Sequence, residues 1–158
     1  MKKLLLLSLL ALFFVGCKTT SVGNTKLDTS SQVDLKGNWR VSSVTYPGSE
    51  YIKVNSFDIA DSQCFVGSTW NFISNNNKGT LTLNNSNCSA YTSPITWYIN
   101  KEGQFVLKVL DEGLKSKKVK TGYFLGVENQ SENSFQLVDK INGGNNPTKV
   151  VYQFEKIN

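Results

Sequence analysis

Hydrophobic and polar residues alternate along most of the chain from residue 35 onward. A period of two places successive side chains on opposite faces of a β-strand. The alternating segments are rich in β-branched and aromatic residues, and clusters of Gly, Asn, Pro and Ser separate them. The pattern predicts strands within residues 35–46, 68–74, 79–84, 94–100, 104–111, 121–128, 134–140 and 149–157.

The segments between these strands are mostly of hairpin length, as at residues 75–78 and 100–103. Consecutive strands are therefore expected to pair antiparallel. No window shows the sustained 3.6-residue period of a helix. The sequence predicts an all-β, up-and-down arrangement of eight strands that either closes into a barrel or splits into a sandwich, and closure has the advantage of removing exposed edges.

The first residues have the layout of a secretory signal peptide. Lys2 and Lys3 form a positive start, and an apolar run follows from residue 4 to residue 15, interrupted only by Ser8. About a dozen residues are too few to cross roughly 30 Å of hydrocarbon as a helix. The pattern therefore predicts a leader rather than a membrane anchor made of protein.

The leader ends in the sequence Phe14-Val15-Gly16-Cys17, which resembles the lipobox of bacterial lipoproteins. Phe14 departs from the leucine usual in that family. The resemblance implies a signal peptide of residues 1–16, removed after a lipid is attached to the Cys17 thiol. The mature chain would then carry two or three fatty acyl chains, such as palmitate, and two or more give stable membrane anchoring. The alternative is an ordinary signal peptide in which Cys17 is incidental.

Residues 17–34 are polar and rich in Thr and Ser, without periodicity. They are predicted to be a flexible linker between the lipidated cysteine and the domain, with a reach of roughly 20–25 Å. No acidic run follows Cys17, and such runs occur in some surface-export signals. This favours a cell-envelope location in the outer membrane, facing the periplasm.

A Gly-x-Trp motif, Gly37 and Trp39, stands at the start of the first predicted strand. The motif, its position and the strand count make residues 35–158 resemble the lipocalins and their bacterial lipocalin-like lipoprotein relatives. The resemblance implies an eight-stranded antiparallel up-and-down barrel whose narrow end is closed by Trp39. It also implies a basic side chain packed over the indole, which in lipocalins is usually an arginine of a late strand. The one arginine of this chain is Arg40.

Charge and composition exclude several functions. The chain has 17 Lys and Arg against 12 Asp and Glu, and two of these lysines belong to the leader. Bidentate contacts to bases and phosphates favour arginine, and the chain has a single arginine, Arg40. Nucleic-acid binding is therefore not expected. The absence of histidine removes Ser-His-Asp triads, Cys-His dyads and imidazole metal sites.

Cys64 and Cys88 remain once Cys17 is assigned to lipid, and they flank the hairpin predicted at residues 68–84. An even pair in an oxidising compartment predicts a disulfide. Closing a loop of about 25 residues stabilises a fold by about 3 kcal/mol. The alternative is a redox or metal-binding dithiol, which the long spacing and the lack of other soft ligands disfavour.

Further polar clusters give little support to catalysis. Asp111 and Glu112 are adjacent, which places them on opposite faces of a strand or in a turn. Asn55, Asp58 and Asp61 lack the ordered ligand spacing of calcium loops. No nucleophile has a visible base, so we expect no enzyme activity, no cofactor and no metal.

The inward face of the predicted barrel is overwhelmingly apolar and aromatic. If a cavity exists, it would suit a lipid, a fatty acid, an isoprenoid or a similar small hydrophobic molecule, with phenols and indoles available to orient a polar head. The candidate ligand-binding residues are Trp70, Phe72, Leu83, Trp97, Phe105, Leu107, Tyr123 and Tyr152.

The same inward residues would also make a packed core, and the pattern does not separate the two readings. In the alternative, the barrel is solid and serves as a protein-interaction or structural module of the envelope. Its exterior would then dock a protein partner, together with the basic run of Lys115, Lys117, Lys118 and Lys120. That run is otherwise a solvated loop or a contact with anionic headgroups.

Overall fold

The computed structural model describes residues 32, 34–49, 53–110, 113, 115, 118–119, 121–142 and 148–158. The predicted signal peptide, Cys17 and most of the predicted linker lie outside the described residues, as do Asp111 and Glu112. In the part of the chain that is described, no helix combines the length and the apolar character needed to cross a membrane.

Ten strands and one short 3₁₀ helix are formed by the described residues. The helix spans Ser62–Phe65. The strands are β1 (Gly37–Thr45), β2 (Asn55–Ser56), β3 (Ala60–Asp61), β4 (Thr69–Ile73), β5 (Lys78–Leu83), β6 (Tyr91–Ile99), β7 (Phe105–Val109), β8 (Tyr123–Glu128), β9 (Ser134–Ile141) and β10 (Thr148–Ile157).

Eight of these strands form a closed antiparallel barrel in the order β1-β10-β9-β8-β7-β6-β5-β4. Every strand predicted from the alternating pattern is present, and the barrel rather than the sandwich is confirmed. The additional strands β2 and β3 form a small separate hairpin between β1 and β4. This hairpin and the 3₁₀ helix that follows it are not predicted by the alternating pattern.

Strand β1 closes the barrel because it pairs with β10 on one side and with β4 on the other. A register shift between Val41 and Ser43 interrupts the pairing with β10. An extra residue in one strand shifts its alternation, so that side chains on either side of the bulge can share a face. Val41 and Val44 are both buried as a result, although they are three positions apart.

The two ends of the barrel differ. At the closed end, where β1 begins, the strands are joined by the short turns at residues 74–77, 100–104 and 129–133. At the other end, the mouth, the connection from β1 to β4 covers residues 46–68 and includes the β2–β3 hairpin and the 3₁₀ helix. We call residues 53–61 the mouth hairpin.

The predicted disulfide between Cys64 and Cys88 is confirmed, with a Cα–Cα distance of 5.8 Å. It joins the 3₁₀ helix to the loop between β5 and β6, so it fixes one side of the mouth. The side-chain amide of Asn85, in the same loop, donates to the Gln63 carbonyl oxygen at 3.3 Å.

One residue of the predicted linker, Gln32, packs against the barrel. Gln32 is buried, and its Nε2 donates to the Ser74 carbonyl oxygen at 3.0 Å and to the Asn77 side chain. Both acceptors belong to the turn between β4 and β5 at the closed end. The domain therefore includes Gln32, because a side chain with this burial and these bonds is part of the packed structure. A short polar residue pattern carries no sign of such a contact.

Candidate functional site

Trp39 lies buried at the end of the barrel where β1 begins. Its side chain is fully buried, its Nε1 donates to the Leu35 carbonyl oxygen at 2.9 Å, and its ring meets Phe135 edge-on at a centroid distance of 4.6 Å. The Lys156 ammonium lies 5.6 Å from the centre of the indole, within the range of a cation–π contact. The basic side chain expected over this indole is therefore a lysine of the last strand.

Gly37, the other residue of the motif, has a φ angle of +130°. Residues with a side chain rarely adopt this conformation. A Cβ atom at this position would also lie 3.6 Å from Lys156 Cε and 3.9 Å from Trp39 Nε1. The glycine thus lets the chain enter β1 at the angle that brings Trp39 beneath Lys156.

The predicted ligand-binding residues all face the barrel interior. Seven of the eight are no more than 2% exposed, and Tyr123, nearer the mouth, is half-buried. The aromatic residues among them belong to a network of ring contacts. One unbroken series in it runs from Trp39 through Phe135, Phe154 and Trp70 to Phe57 at the mouth. The barrel interior is therefore filled with aromatic side chains in this conformation.

The expectation that indole N–H groups could orient a polar ligand is wrong for two of these residues. Trp70 Nε1 donates to Ser68 Oγ at 2.9 Å, and Trp97 Nε1 donates to the Lys78 carbonyl oxygen at 2.9 Å. Because an indole has a single donor, neither group is available to a ligand. Burial of an N–H without a partner is costly, and the protein satisfies these groups itself.

Phe57, in the mouth hairpin, fills the mouth of the barrel. It is 4% exposed, and its ring lies 5.2 Å from Phe65, 5.3 Å from Tyr123, 5.5 Å from Tyr152 and 6.2 Å from Trp70, measured between centroids. The ring therefore occupies the position at which any molecule entering from this end would first meet the aromatic interior.

The backbone that presents Phe57 is strained. Phe57 and Asp58 have φ angles of 55° and 56°, and the Ile59 N–H donates to the Ser56 carbonyl oxygen at 3.0 Å. Such a turn, with two central residues in the left-handed region, usually carries Asn-Gly or Asp-Gly. A bulky residue at positive φ is an outlier. The unusual turn residues explain why the sequence analysis predicts no hairpin here.

Two tyrosines link the barrel wall to the mouth hairpin by their hydroxyl groups. Tyr152 is hydrogen-bonded to Ser56 Oγ, and the Tyr123 hydroxyl donates to Asp58 Oδ2 at 2.9 Å. Burial is the main cause that raises the pKa of both phenols above the usual range, and the Asp58 carboxylate adds to the rise for Tyr123. Both phenols therefore stay protonated and hold the hairpin over the mouth.

Asp139 is the carboxyl group that faces inward near this end. It lies opposite Val150 in the β9–β10 pairing, one inward position beyond the Leu137–Tyr152 pair. Val150 is fully buried, so Asp139 shares the interior face. Burial raises the pKa of Asp139, and a backbone hydrogen bond with Lys140 partly opposes the rise. The sequence analysis does not single out this residue, although the alternation that places Phe135 and Leu137 inward also places Asp139 on the same face.

The other polar residues singled out from the sequence have structural roles or lie apart. Asp61 accepts from the Gln63 N–H at 2.9 Å at the start of the 3₁₀ helix, while Asp58 bonds Tyr123. Over the described ranges, no group of three or more His, Cys, Asp or Glu side chains could hold a metal ion. Lys115 and Lys118 are exposed, and Lys117 and Lys120 lie outside the described residues.

Comparison with known proteins gives one family and a set of related folds. A family model described as a lipocalin-like domain matches residues 35–137, well over half of the chain. No curated protein sequence matches the chain. Among solved structures, a bovine odorant-binding protein in complex with a selenium-containing odorant is similar at 12% identity and a TM-score of 0.45, over 80% of this chain and 73% of that one. An odorant-binding protein from bovine nasal mucosa is similar at 12% identity and a TM-score of 0.44, over 79% and 72%.

Proposed function

The chain belongs to the lipocalin-like domain family, and from this premise we propose that it is a non-catalytic protein that binds one small hydrophobic molecule inside its barrel. The observation that carries the proposal is the closure of the mouth by Phe57. This closure comes from one aromatic side chain on a short hairpin rather than from the strands of the barrel.

Ligand entry requires Phe57 to move, because the ring contacts leave the interior filled. Residues held at unfavourable φ/ψ angles cost on the order of 1–3 kcal/mol each. Opening the hairpin would release this strain at Phe57 and Asp58, which offsets part of the cost of exposing the ring. A ligand would then take the place of the phenyl ring among Phe65, Trp70 and Tyr152.

Replacing Phe57 by alanine tests this route. We expect the wild-type protein to bind the neutral fluorescent probe N-phenyl-1-naphthylamine, with one site per chain. Phe57→Ala should bind it more tightly by about fivefold to tenfold, since the ligand no longer has to displace a buried ring. Fluorescence titration measures the affinity, and native mass spectrometry measures the stoichiometry.

Phe135→Ala is the matched control, because it removes the same side chain behind Trp39 at the closed end. It should leave the affinity for the probe close to that of the wild-type protein, because Phe57 still closes the mouth. Failure of both the wild-type protein and Phe57→Ala to bind the probe, with no apolar adduct in the native mass spectrum, would overturn the proposed function.

We also propose that a lipid on Cys17 anchors the domain in the cell envelope, in the outer membrane and facing the periplasm. The apolar leader, the lipobox-like sequence and the absence of an acidic run after Cys17 support this location. The disulfide adds support, because disulfides persist in oxidising compartments such as the periplasm. Cys17→Ser should move the protein from the membrane fraction to the soluble periplasmic fraction; retention in the membrane would contradict the anchor.

A second candidate function is a solid-core module that binds an envelope protein through its exterior. The filled interior favours it, and so does Phe124, which is 59% exposed on the outer face of β8. Under this alternative, the wild-type protein takes up no probe at all. Phe124→Ser would then weaken cross-linking to the partner in intact cells while the fold stays unchanged.

A further inference from the structure

The barrel interior has an uneven charge. Among the inward positions of the described barrel strands, two side chains are charged: Asp139 near the mouth, and Lys156, which lies opposite Trp39 at the closed end and is exposed. The half-buried carboxyl group of Asp139 has a backbone hydrogen bond at Lys140, and no cation of the described residues pairs with it. An ionised carboxylate in such a place is costly unless it has a partner.

The groups around Asp139 are acidic or phenolic. The charge of Asp139 contributes to the raised pKa of two phenols, Tyr123 in β8 and Tyr152 in β10. The mouth hairpin adds Asp58, bonded to Tyr123, and Asp61, whose charge also acts on Tyr152. We call Asp58, Tyr123, Asp139 and Tyr152 the mouth tier.

Two further phenols complete these surroundings. The phenol of Tyr46, which follows β1, contributes to the raised pKa of Tyr152, and the phenol of Tyr91 in β6 contributes to the raised pKa of Tyr123. Lys53, Lys140 and Lys149 on the packed elements are exposed, and no cation is among the groups that shift the pKa of Tyr123, Asp139 or Tyr152. The tier therefore offers hydrogen-bond acceptors and negative potential to whatever enters the barrel.

An anionic head group, such as the carboxylate of a fatty acid, would be repelled by this tier, whose four described side chains include no cation to pair with it. A protonated amine would give Asp139 the missing counter-charge in a place of low dielectric, where such a pair is stronger than in water. The apolar body of the same molecule would lie deeper, against Trp70 and Phe72.

We propose that the barrel selects a hydrophobic molecule carrying a protonated amine, with the amine held by Asp139 and the apolar body in the aromatic interior. This inference rests on the proposed binding function and names its ligand class. It makes Asp139 the residue that determines specificity.

A matched series of ligands tests the inference on the full protein. Dodecylamine, dodecanol and dodecanoate share one alkyl chain and differ in head-group charge. Each is titrated against bound N-phenyl-1-naphthylamine at neutral pH, below its micelle concentration. We expect dodecylamine to displace the probe at a concentration about tenfold lower than dodecanol, and dodecanoate to be the weakest, since one new charge pair of modest strength gives such a ratio.

Asp139→Asn should reduce the preference for the amine over the alcohol to less than about threefold while leaving dodecanol binding unchanged. Glu155→Gln is the matched control, because it removes a carboxylate from an exposed, outward position of the neighbouring strand β10. The control should keep the full preference for the amine.

The outcomes separate the two proposals. Dodecanoate or dodecanol displacing the probe as well as dodecylamine would overturn the amine preference and leave the binding function standing. An undiminished preference in Asp139→Asn would overturn the role of Asp139. If neither the probe nor any member of the series binds, the binding function itself is wrong, and the inference falls with it.

Discussion

The closed end and the mouth of the barrel are built by different means. At the closed end, Trp39 belongs to a strand that is paired on both sides, with Lys156 in β10 and Trp70 in β4 as its cross-strand neighbours. At the mouth, Phe57 belongs to a hairpin whose two strands, β2 and β3, have two residues each and pair with each other rather than with the barrel. A covalent bond and tyrosine hydroxyls hold that part of the chain in place.

This difference shows where the molecule can open. A side chain on a doubly paired strand moves only if backbone hydrogen bonds of the barrel break. A side chain on a short insertion moves when a few side-chain bonds exchange, so local opening costs less there. We therefore expect stability to depend mainly on the closed end and ligand access to depend on the mouth.

The largest expected effect compares Trp39→Ala with Phe57→Ala. Removing Trp39 should lower the free energy of unfolding by about 3–5 kcal/mol, as for other large buried aromatic residues. Removing Phe57 should cost about 2 kcal/mol, because the mouth is able to readjust and part of the backbone strain is relieved. Urea denaturation measures both, and an equal loss in the two variants would contradict the comparison.

Removing the disulfide by the double change Cys64→Ser and Cys88→Ser should lower the free energy of unfolding by about 3 kcal/mol. The bond lies at the mouth, so the loss should come with faster hydrogen exchange in the β5–β6 loop and the 3₁₀ helix. Exchange at β1 and β10 near Trp39 should change only through the global loss. Uniform loosening of both ends would show that they are not independent.

A smaller effect is expected from Lys156→Met, which keeps much of the side-chain bulk and removes the charge above Trp39. The loss should be about 0.5–1 kcal/mol, the size of a cation–π contact at an exposed site. Lys156→Arg should restore it, since arginine makes the same contact. Thermal unfolding at low and moderate salt measures the change. Equal stability of the methionine and arginine variants would show that the cation–π contact does not stabilise the closed end.

The smallest effect is the pH dependence contributed by Asp139. Because burial raises the pKa of Asp139 in the folded state above its ordinary value of 3.8, the folded state binds this proton more tightly than the unfolded state. The associated stability is complete below pH 3.8 and is lost as the pH rises through the raised pKa. As the pH rises through this interval, the free energy of unfolding of the wild-type protein should therefore fall relative to that of Asp139→Asn.

Urea denaturation at a series of pH values measures that difference, in which the other carboxyl groups cancel. A constant difference, or a change in the opposite direction, would contradict the burial of the charged group. The outward change Glu155→Gln serves as the control and should show no such trend.

The sequence was sufficient for the barrel because each strand carries its own alternating pattern. Trp70, Leu81, Trp97 and Leu137 lie on the inward face at the spacing that a strand imposes. The disulfide was predictable too, because two cysteines flanked a recognisable hairpin. The strands depend on the local spacing of apolar residues, and the disulfide depends on a pair of cysteines.

The closure of the mouth was not predictable in the same way. Phe57 stands in a turn whose residues disagree with the usual preference for glycine at positive φ. Asp139 follows Phe135 and Leu137 in the alternation of β9, but its burial depends on neighbours such as Val150 of β10, which the sequence does not show. Both depend on contacts between segments far apart in the chain, which local pattern does not record.

The contact of Gln32 with the turn between β4 and β5 gives the domain a direction. The chain enters the barrel beside Trp39, so whatever holds the N-terminal side of the molecule is attached next to its sealed floor. With a lipid on Cys17, as proposed, the tether would join the barrel at this floor, at the end opposite to the mouth. The anchoring segment would then leave the mouth unobstructed, and a cargo molecule could enter or leave without passing it.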